Sequence, residues 1–358
     1  NNGLTSIVVT TAQVLTVLRD YKNKKKIMPK TVNGAFSDFL LNKVNLDKDQ
    51  TTKARSSRDW LLGQIELFQS DDTFPKSYSE KNIHYGSFAR RTKIRPLDDI
   101  DLMICLHGQG GRYNEYNGKI EITASEQSNL KVFCNDYTWI LNSRKIIDKF
   151  VTKLSDVPQY SNAQIKRNLE AATLNLKSYD WVFDIVPCFI TSPDLSGKTF
   201  YLIPDGKGSW KKTDPRIDKE NAININQKHD GNILNIIRII KFWNKRPTMP
   251  SMSSYLLETM ILNYYDSKID KASQFVDLEI AGVLEYIETY IKYQVTDPKG
   301  IQGNINTLSW DEATKISNRA KTDKLKAIEA RSFESNSDHE KSINKWKEIF
   351  GNDFPNYE

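Results

Sequence analysis

The sequence contains few of the residues that bind zinc or form disulfides, with only 3 cysteines and 4 histidines in 358 residues. Cys105, Cys134 and Cys188 are an odd number without close spacing, and the scattered histidines match no zinc-site pattern. Two of the cysteines lie in apolar, strand-like runs, which favours buried, reduced thiols. We therefore expect neither a disulfide framework nor a structural zinc site, and we expect a reducing intracellular compartment, the cytoplasm.

Long hydrophobic runs and a strong excess of one charge are also missing. No stretch has the length of a membrane span or the pattern of a secretory signal, so no membrane partner is expected. The formal net charge of +6 suits anionic substrates such as nucleotides without requiring a nucleic-acid partner. The densest basic run, residues 22–26 (KNKKK), is typical of a solvated helix end. A nucleic-acid activator is therefore not indicated.

The apolar spacing predicts strands mainly in the first part of the chain and helices alone in the second. Helices are expected at residues 10–21, 56–69 and 127–154, and strands at 81–85, 99–106, 171–176, 181–190 and 198–204. The glycine-rich residues 107–116 are predicted as a loop and the polar residues 205–230 as a linker. Further helices are expected at residues 230–245, 253–265, 277–293, 309–333 and 338–350. This order predicts an α+β lobe, residues 1–210, followed by an all-helical lobe, residues 211–358.

Two aspartates stand at the start of an apolar strand pattern, just after a Gly-Ser turn. Because successive strand residues point to opposite faces, Asp99 and Asp101 share one face, close enough to bind the same metal ions. The apolar residues 100, 102, 104 and 106 take the other face. Gly86 allows close approach of the backbone to a ligand, and Ser87 offers a hydroxyl and an amide to a phosphate. Each feature alone is common in turns and solvated edges, but their order predicts a nucleotide held beside metal ions.

A third carboxylate is predicted at Asp184, which lies between large apolar residues in WVFDIVP. An unpaired carboxylate there is costly unless a cation or hydrogen bonds compensate. A structural role, capping a loop or pairing with a Lys or Arg, is the alternative explanation. Asp180 is the alternative ligand if the strand register differs.

The run GSFARRT followed by DDIDLMICL resembles the signature of DNA polymerase β-like nucleotidyltransferases. With Arg91 and Thr92 it looks most like the bacterial cyclic-oligonucleotide synthases (CD-NTases), which are similar to animal cyclic GMP-AMP synthase and oligoadenylate synthase. FDIVP resembles the family's third-acid motif, which implies that Asp184 is the third metal ligand. The resemblance implies a mixed sheet with flanking helices, a helical lobe, and an active site in the cleft between them.

Two stretches of the second half extend the resemblance. IIRIIKFWNK is similar to the family's helix whose lysine contacts the triphosphate, which implies this role for Lys241; its pattern alone favours a lysine that snorkels to the surface. Ser254 and Tyr255 resemble the family's Ser-Tyr-x-Leu-Glu helix start, where serine helps hold the donor nucleotide and tyrosine stacks on a base. The alternative is that Ser253 or Ser254 caps the helix and Tyr255 belongs to the core. The zinc-binding insertion of the animal sensor is absent.

The resemblance implies a metal-dependent enzyme that joins ATP, GTP or other ribonucleoside triphosphates into a cyclic dinucleotide or oligonucleotide. Two Mg²⁺ ions about 4 Å apart, or Mn²⁺ in their place, would activate the attacking hydroxyl and neutralise the leaving pyrophosphate. Asp99 and Asp101 would hold the metals, and Asp184 would also assist deprotonation of the hydroxyl. The implied role is anti-phage signalling through a downstream effector that binds the product. The alternatives are an RNA 3′ end, a linear oligoadenylate or a protein hydroxyl as acceptor, and a catalytically silent binding module.

Overall fold

The computed structural model describes residues 29–358, so the predicted helix at residues 10–21 and the basic run at 22–26 lie outside the described residues. The helices are α1 (Val32–Phe39), α2 (Lys48–Leu67), α3 (Gly86–Ala89), α4 (Ser143–Ser155), α5 (Pro215–Lys228), α6 (Ile233–Asn244), α7 (Ser254–Ser267), α8 (Asp277–Tyr290), α9 (Trp310–Ser335) and α10 (His339–Phe350). The strands are β1 (Ile83–Tyr85), β2 (Asp99–Cys105), β3 (Arg112–Tyr116), β4 (Lys119–Thr123), β5 (Gln164–Asn168), β6 (Ala171–Asn175), β7 (Val182–Ile190), β8 (Tyr201–Pro204) and β9 (Trp210–Thr213). None of the helices within residues 29–358 is long and apolar enough to cross a membrane.

The nine strands form one mixed sheet in the order β1-β2-β7-β8-β9-β4-β3, with β6 also paired to β7 and β5 paired to β6. Strands β2 and β7 run parallel, while β1 pairs antiparallel with β2 and β6 pairs antiparallel with β7. The sheet and the helices that follow it confirm the prediction of an α+β fold. The two central strands, β2 and β7, are those that carry the predicted acids.

Strand β2 follows its sequence pattern closely. Ile100, Leu102 and Ile104 are at most 1% exposed and belong to the core beneath the sheet. On the opposite face Met103 and Cys105 are buried too. Both faces of the strand are therefore covered along most of its length. The polar residues Asp99 and Asp101 are confined to its beginning.

The helical part has a core of its own, built around α6, which is buried nearly all round. Helix α1 packs on this core, where Phe36 contacts Trp346 and Phe354 with ring centroids 5.0 Å apart in each pair. We call this the helical core and the one around β2 the sheet core. The division at residue 210 stays a prediction; the structure adds that β9 extends to Thr213 and that α1 joins the helical core.

Three predicted segments were wrong in kind or extent. Residues 107–116, predicted as a loop, include β3, and residues 205–230, predicted as a linker, contain β9 and α5. Residues 127–154 do not form one helix, since a short 3-10 helix at Asn129–Phe133 is followed by a turn, closed by an antiparallel bridge between Cys134 and Leu141, before α4 begins. The physical reasons are local: Asn142 caps α4 and Asp214 caps α5, each accepting a bond from the amide two residues later. Helix α2 likewise begins at Lys48, earlier than residue 56, because Asp47 caps it.

Candidate active site

The parallel register of β2 and β7 places Asp101 directly opposite Asp184. Residues opposite each other in paired strands point to the same face, and Asp99 lies two residues from Asp101 on that face. The two carboxylates of β2 therefore meet a third, Asp184, that is distant in sequence. Asp180 lies before β7 begins and is exposed, so the register brings Asp184, and not Asp180, to the pair on β2.

Burial and neighbouring carboxylates disfavour the charged forms of Asp101 and Asp184. Burial, followed by the charges of Asp99 and Asp184, raises the pKa of Asp101 to about 7. Burial and the charge of Asp99 also raise the pKa of Asp184, although the Thr173 hydroxyl, which donates to Asp184 at 2.7 Å, opposes this shift. Carboxylates crowded in this way gain most from a multivalent cation. The donor set therefore fits Mg²⁺, which prefers carboxylate oxygens.

Two neighbouring groups hold the acids in their present positions. The Lys93 ammonium contacts both Asp98 and Asp99, and Thr173 occupies one oxygen of Asp184. As arranged, no three His, Cys, Asp or Glu side chains within residues 29–358 are grouped to hold a metal ion. Lys93 was not among the predicted site residues. It lies six residues before Asp99, and the intervening turn brings its ammonium back to the start of β2.

Gly86 lies directly against the acids. Its φ of +73° is a conformation that glycine adopts at little cost, and a Cβ there would lie 1.8 Å from Oδ2 of Asp101. Ser87 follows in the four-residue helix α3, and its carbonyl accepts the amides of Thr92 and Lys93 at 2.9 and 3.1 Å. The Gly-Ser turn and the aspartates are thus adjacent in space as well as in sequence. A phosphate-binding role for Gly86 and Ser87 stays a prediction.

The Lys241 side chain is buried and ion-paired, so it does not snorkel to the surface. It is 5% exposed and donates to Glu258 of α7 at 2.7 Å. Glu258 also pairs with Arg90, at 3.0 Å to Nη2. Burial alone would raise the pKa of Glu258, but Arg90 and Lys241 outweigh it, so the pKa lies below its usual value.

The Arg90–Glu258 pair joins the turn after α3 to the helical core. Neither partner was selected from the sequence, although both stand inside the motifs quoted above, GSFARRT and Ser-Tyr-x-Leu-Glu. The interaction links residues 168 positions apart, and such a distant pairing leaves no local signal. Lys241 is therefore close to the Gly-Ser turn through Glu258 and Arg90. Its contact with a triphosphate stays a prediction.

Tyr255 is held by its hydroxyl in a polar cluster. The hydroxyl oxygen lies 2.6 Å from Oδ1 of Asp297 and 2.9 Å from Oδ1 of Asp218, which share its single proton. The Lys299 ammonium lies 3.9 Å from the ring centroid, so one face of the ring is covered. Burial and these two carboxylates raise the pKa of Tyr255 far above its usual value.

The start of α7 separates the two serines that the sequence left as alternatives. Ser253 is the cap, accepting the Leu256 amide at 3.2 Å. Ser254 is the first residue of α7 and is exposed. Its hydroxyl is therefore not used for capping and is accessible to a ligand.

Comparisons with known proteins agree with this architecture. The chain is 47% identical over 334 residues to a probable cyclic nucleotide synthase of Bacillus cereus (strain VD146), which covers 92% of this chain and all of that protein. It is 20% identical over 342 residues to a cyclic AMP-AMP-AMP synthase of Escherichia coli (strain MS 115-1), covering 88% of this chain and 95% of that protein. No family model matches the chain.

A solved structure shows the same fold. The structure of E. coli MS115-1 CdnC with ATP superposes with a TM-score of 0.65 at 17% identity, covering 90% of this chain and 98% of that chain. A CdnC complex with HORMA-deltaN gives the same TM-score at 16% identity, with the same coverage. The expected polymerase β-like fold, a mixed sheet with a helical C-terminal region, is thereby confirmed. With the 47% identical relative covered along its whole length, the chain belongs to the bacterial CD-NTases, the nucleotidyltransferases that act as cyclic nucleotide synthases.

Proposed function

We propose that this enzyme joins ribonucleoside triphosphates, ATP among them, into a cyclic dinucleotide or short cyclic oligonucleotide and releases pyrophosphate. The observation that supports the chemistry best is the meeting of Asp99 and Asp101 with Asp184 beside the Gly86 backbone. ATP as a substrate is supported by the names of two relatives, both cyclic AMP-AMP-AMP synthases. An anti-phage role, exerted through an effector that binds the product, fits this family.

In this proposal Asp99, Asp101 and Asp184 hold two Mg²⁺ ions, with Mn²⁺ as a substitute. The bound ions would supply activation of the attacking ribose hydroxyl and neutralisation of charge on the leaving pyrophosphate. Asp184, oriented by Thr173, would accept the proton of that hydroxyl.

The remaining predicted residues would bind the nucleotide. Ser87 would donate its amide and hydroxyl to the phosphates, and Lys241, kept in place by Glu258, would add a positive charge near them. The exposed hydroxyl of Ser254 and the ring of Tyr255 would hold the donor nucleoside. Stacking on an aromatic ring is tolerant of base identity, so these residues give affinity without choosing the base.

The test is incubation of the purified protein with labelled ribonucleoside triphosphates and Mg²⁺ or Mn²⁺, then phosphatase treatment, chromatography and mass spectrometry. We expect a phosphatase-resistant product without free ends, and its mass gives the bases and the ring size. Asp184→Asn should reduce product formation by about a thousandfold or more. The matched control is Asp180→Asn, four residues earlier and exposed, which should keep the wild-type rate.

Three results would contradict parts of this proposal. Labelled nucleotide found only on an added RNA or protein would replace cyclisation with transfer to another acceptor. An active Asp184→Asn enzyme would remove the assigned role of that acid. Phosphatase-sensitive products alone would indicate linear oligonucleotides.

A further inference from the structure

A cavity of about 240 Å³ lies at the edge of the sheet, beside β1. It is lined by residues of α2, of β1 and the turn after α3, of β2, and of α5. Five of its side chains are basic or titrate near neutral pH: Arg55, Arg58, Arg91, Lys219 and His84. None of the residues expected to bind the substrate nucleotide (Gly86, Ser87, Lys241, Ser254 and Tyr255) lines it.

The positive charges of this cavity are largely uncompensated. Within residues 29–358, neither Arg55 nor Arg91 nor Lys219 forms an ion pair or a side-chain hydrogen bond. Arg58 pairs with its neighbour Asp59 at 2.7 Å, but the Asp59 side chain is 61% exposed. Asp101 is the one acid in the lining. Like charges gathered around a recess repel one another, and a bound anion relieves that repulsion.

The pKa of His84 is lowered by burial and by charges from two separate helices, both of which line the cavity. Burial lowers the pKa of His84, and the charges of Arg58 on α2 and Lys219 on α5 lower it further, against the opposing charge of Asp59. The positive field inside the cavity therefore comes from elements that are brought together only by the fold.

We propose that this cavity is a second anion site, which binds the phosphate groups of a small polyanion. Guanidinium groups present paired N–H donors that match phosphate oxygens, and a lysine adds a compact charge to them. A recess of about 240 Å³ suits a small ligand, since a nucleic-acid duplex is bound through long rows of cations that follow its backbone. The ligand chemistry is that of a polyphosphate, either free or as part of a nucleotide.

The position of the site gives it a structural connection to the helical core. Arg91 follows Arg90, which pairs with the buried Glu258. Lys219 follows Asp218, which accepts the hydroxyl of Tyr255. Two contacts to α7 are therefore each one residue away from the cavity lining.

The experiment is titration calorimetry of the full chain with inorganic tripolyphosphate in EDTA, which removes divalent metals that would bridge phosphates to the carboxylates. We expect Arg55→Ala/Lys219→Ala to raise the Kd at least about tenfold. Both side chains are exposed, so thermal melting should show an intact fold. Arg58→Gln, on the same wall, is a second variant that should weaken binding in the same direction. The matched control is Lys53→Ala, on α2 but lining a different cavity, with an unchanged Kd.

The two sources of the ligand are separated by a parallel titration with ATP in EDTA. Equal Kd values for ATP and tripolyphosphate would indicate that the phosphates alone are recognised, and tighter ATP binding that is lost in the double variant would indicate a nucleotide. The proposal is overturned if wild-type protein does not bind tripolyphosphate at about 1 mM or if the double variant binds it equally well. Binding of a short DNA duplex that depends on Arg55 and Lys219, without tripolyphosphate binding, would also overturn it.

Discussion

On β2 and β7, Asp101 and Asp184 face each other, and burial together with neighbouring carboxylates raises the pKa of both. On α6 and α7, Lys241 and Glu258 are more deeply buried, yet each charge has a partner, and Arg90 adds a third member. The first region brings carboxylates close together, and a bound cation would reduce the repulsion between them. In the second region one buried carboxylate pairs with both cations and holds their side chains in fixed positions. Substitutions should therefore affect chemistry in the first region and stability or positioning in the second.

The largest expected effect is that of Asp101→Asn. It should lower nucleotide turnover by about a thousandfold or more, because it removes a charge that the proposed metal ions require. In EDTA it should also change the pH dependence of stability. The pKa of Asp101 in the folded protein is about 7, above its value in an unfolded chain, so the folded state binds an additional proton between about pH 4 and that pKa.

The resulting stabilisation is fully present below pH 4 and is lost as the pH rises towards 7. The free energy of unfolding of the wild type should thus fall over this range relative to that of Asp101→Asn, as measured by urea denaturation at each pH. Asp180→Asn is the control and should follow the wild-type curve. Parallel curves for wild type and Asp101→Asn would show that the crowding of the acids has no energetic consequence.

An intermediate effect is expected from Glu258→Gln. It leaves Arg90 and Lys241 buried without their counter-charge, so the free energy of unfolding should fall by about 3 kcal/mol. Urea denaturation at neutral pH measures this loss. Glu285→Gln is the matched control: its side chain is 66% exposed and pairs with Lys324, and such a surface pair contributes less than about 1 kcal/mol. An equal fall in the free energy of unfolding in both variants would show that the buried network contributes no more to stability than a surface pair does.

The smallest effect is expected from Tyr255→Phe. The ring and its packing remain, while the hydrogen bonds to Asp218 and Asp297 are lost, at a cost of about 1 kcal/mol in stability. If the ring stacks on a base, Tyr255→Ala should raise the KM for ribonucleoside triphosphates by about tenfold, and Tyr255→Phe by less than about threefold. Steady-state kinetics on both variants, with kcat measured alongside, separates the contribution of the ring to KM from that of the hydroxyl. Identical KM values for the two variants would exclude stacking.

Local patterns in the sequence were sufficient wherever strand alternation or helical apolar spacing coincides with burial. The alternation in β2 correctly assigned the buried face and the acidic face, since a strand has a side-chain period of two. Five of the six helices after residue 210, α6 to α10, were predicted to within a few residues, because their apolar spacing coincides with burial in the helical core. The linker prediction failed because α5 is polar, with only Pro215 and Ala222 buried, and its cap at Asp214 was not used.

The groups around the site could not be assigned in the same way. Lys93 approaches Asp99 only because the intervening turn folds back, and Arg90 approaches Glu258 across the two cores. Lys241 shows the limit most directly: its pattern alone favoured a side chain that snorkels to the surface, which was wrong, because its buried partner Glu258 comes from another helix. A charge pattern in one segment does not specify which distant charge will neutralise it.

The sequence by itself determined the strand that carries Asp99 and Asp101, the apolar setting of Asp184 and the family to which the chain is similar, because these depend on short-range periodicity and motif order. The tertiary structure alone decided that Asp101 lies opposite Asp184, that Glu258 holds Lys241 and Arg90, and that cations from α2 and α5 line one cavity. These depend on strand register and on packing between elements far apart in the chain, where the energy of each contact is set by partners that no local pattern specifies.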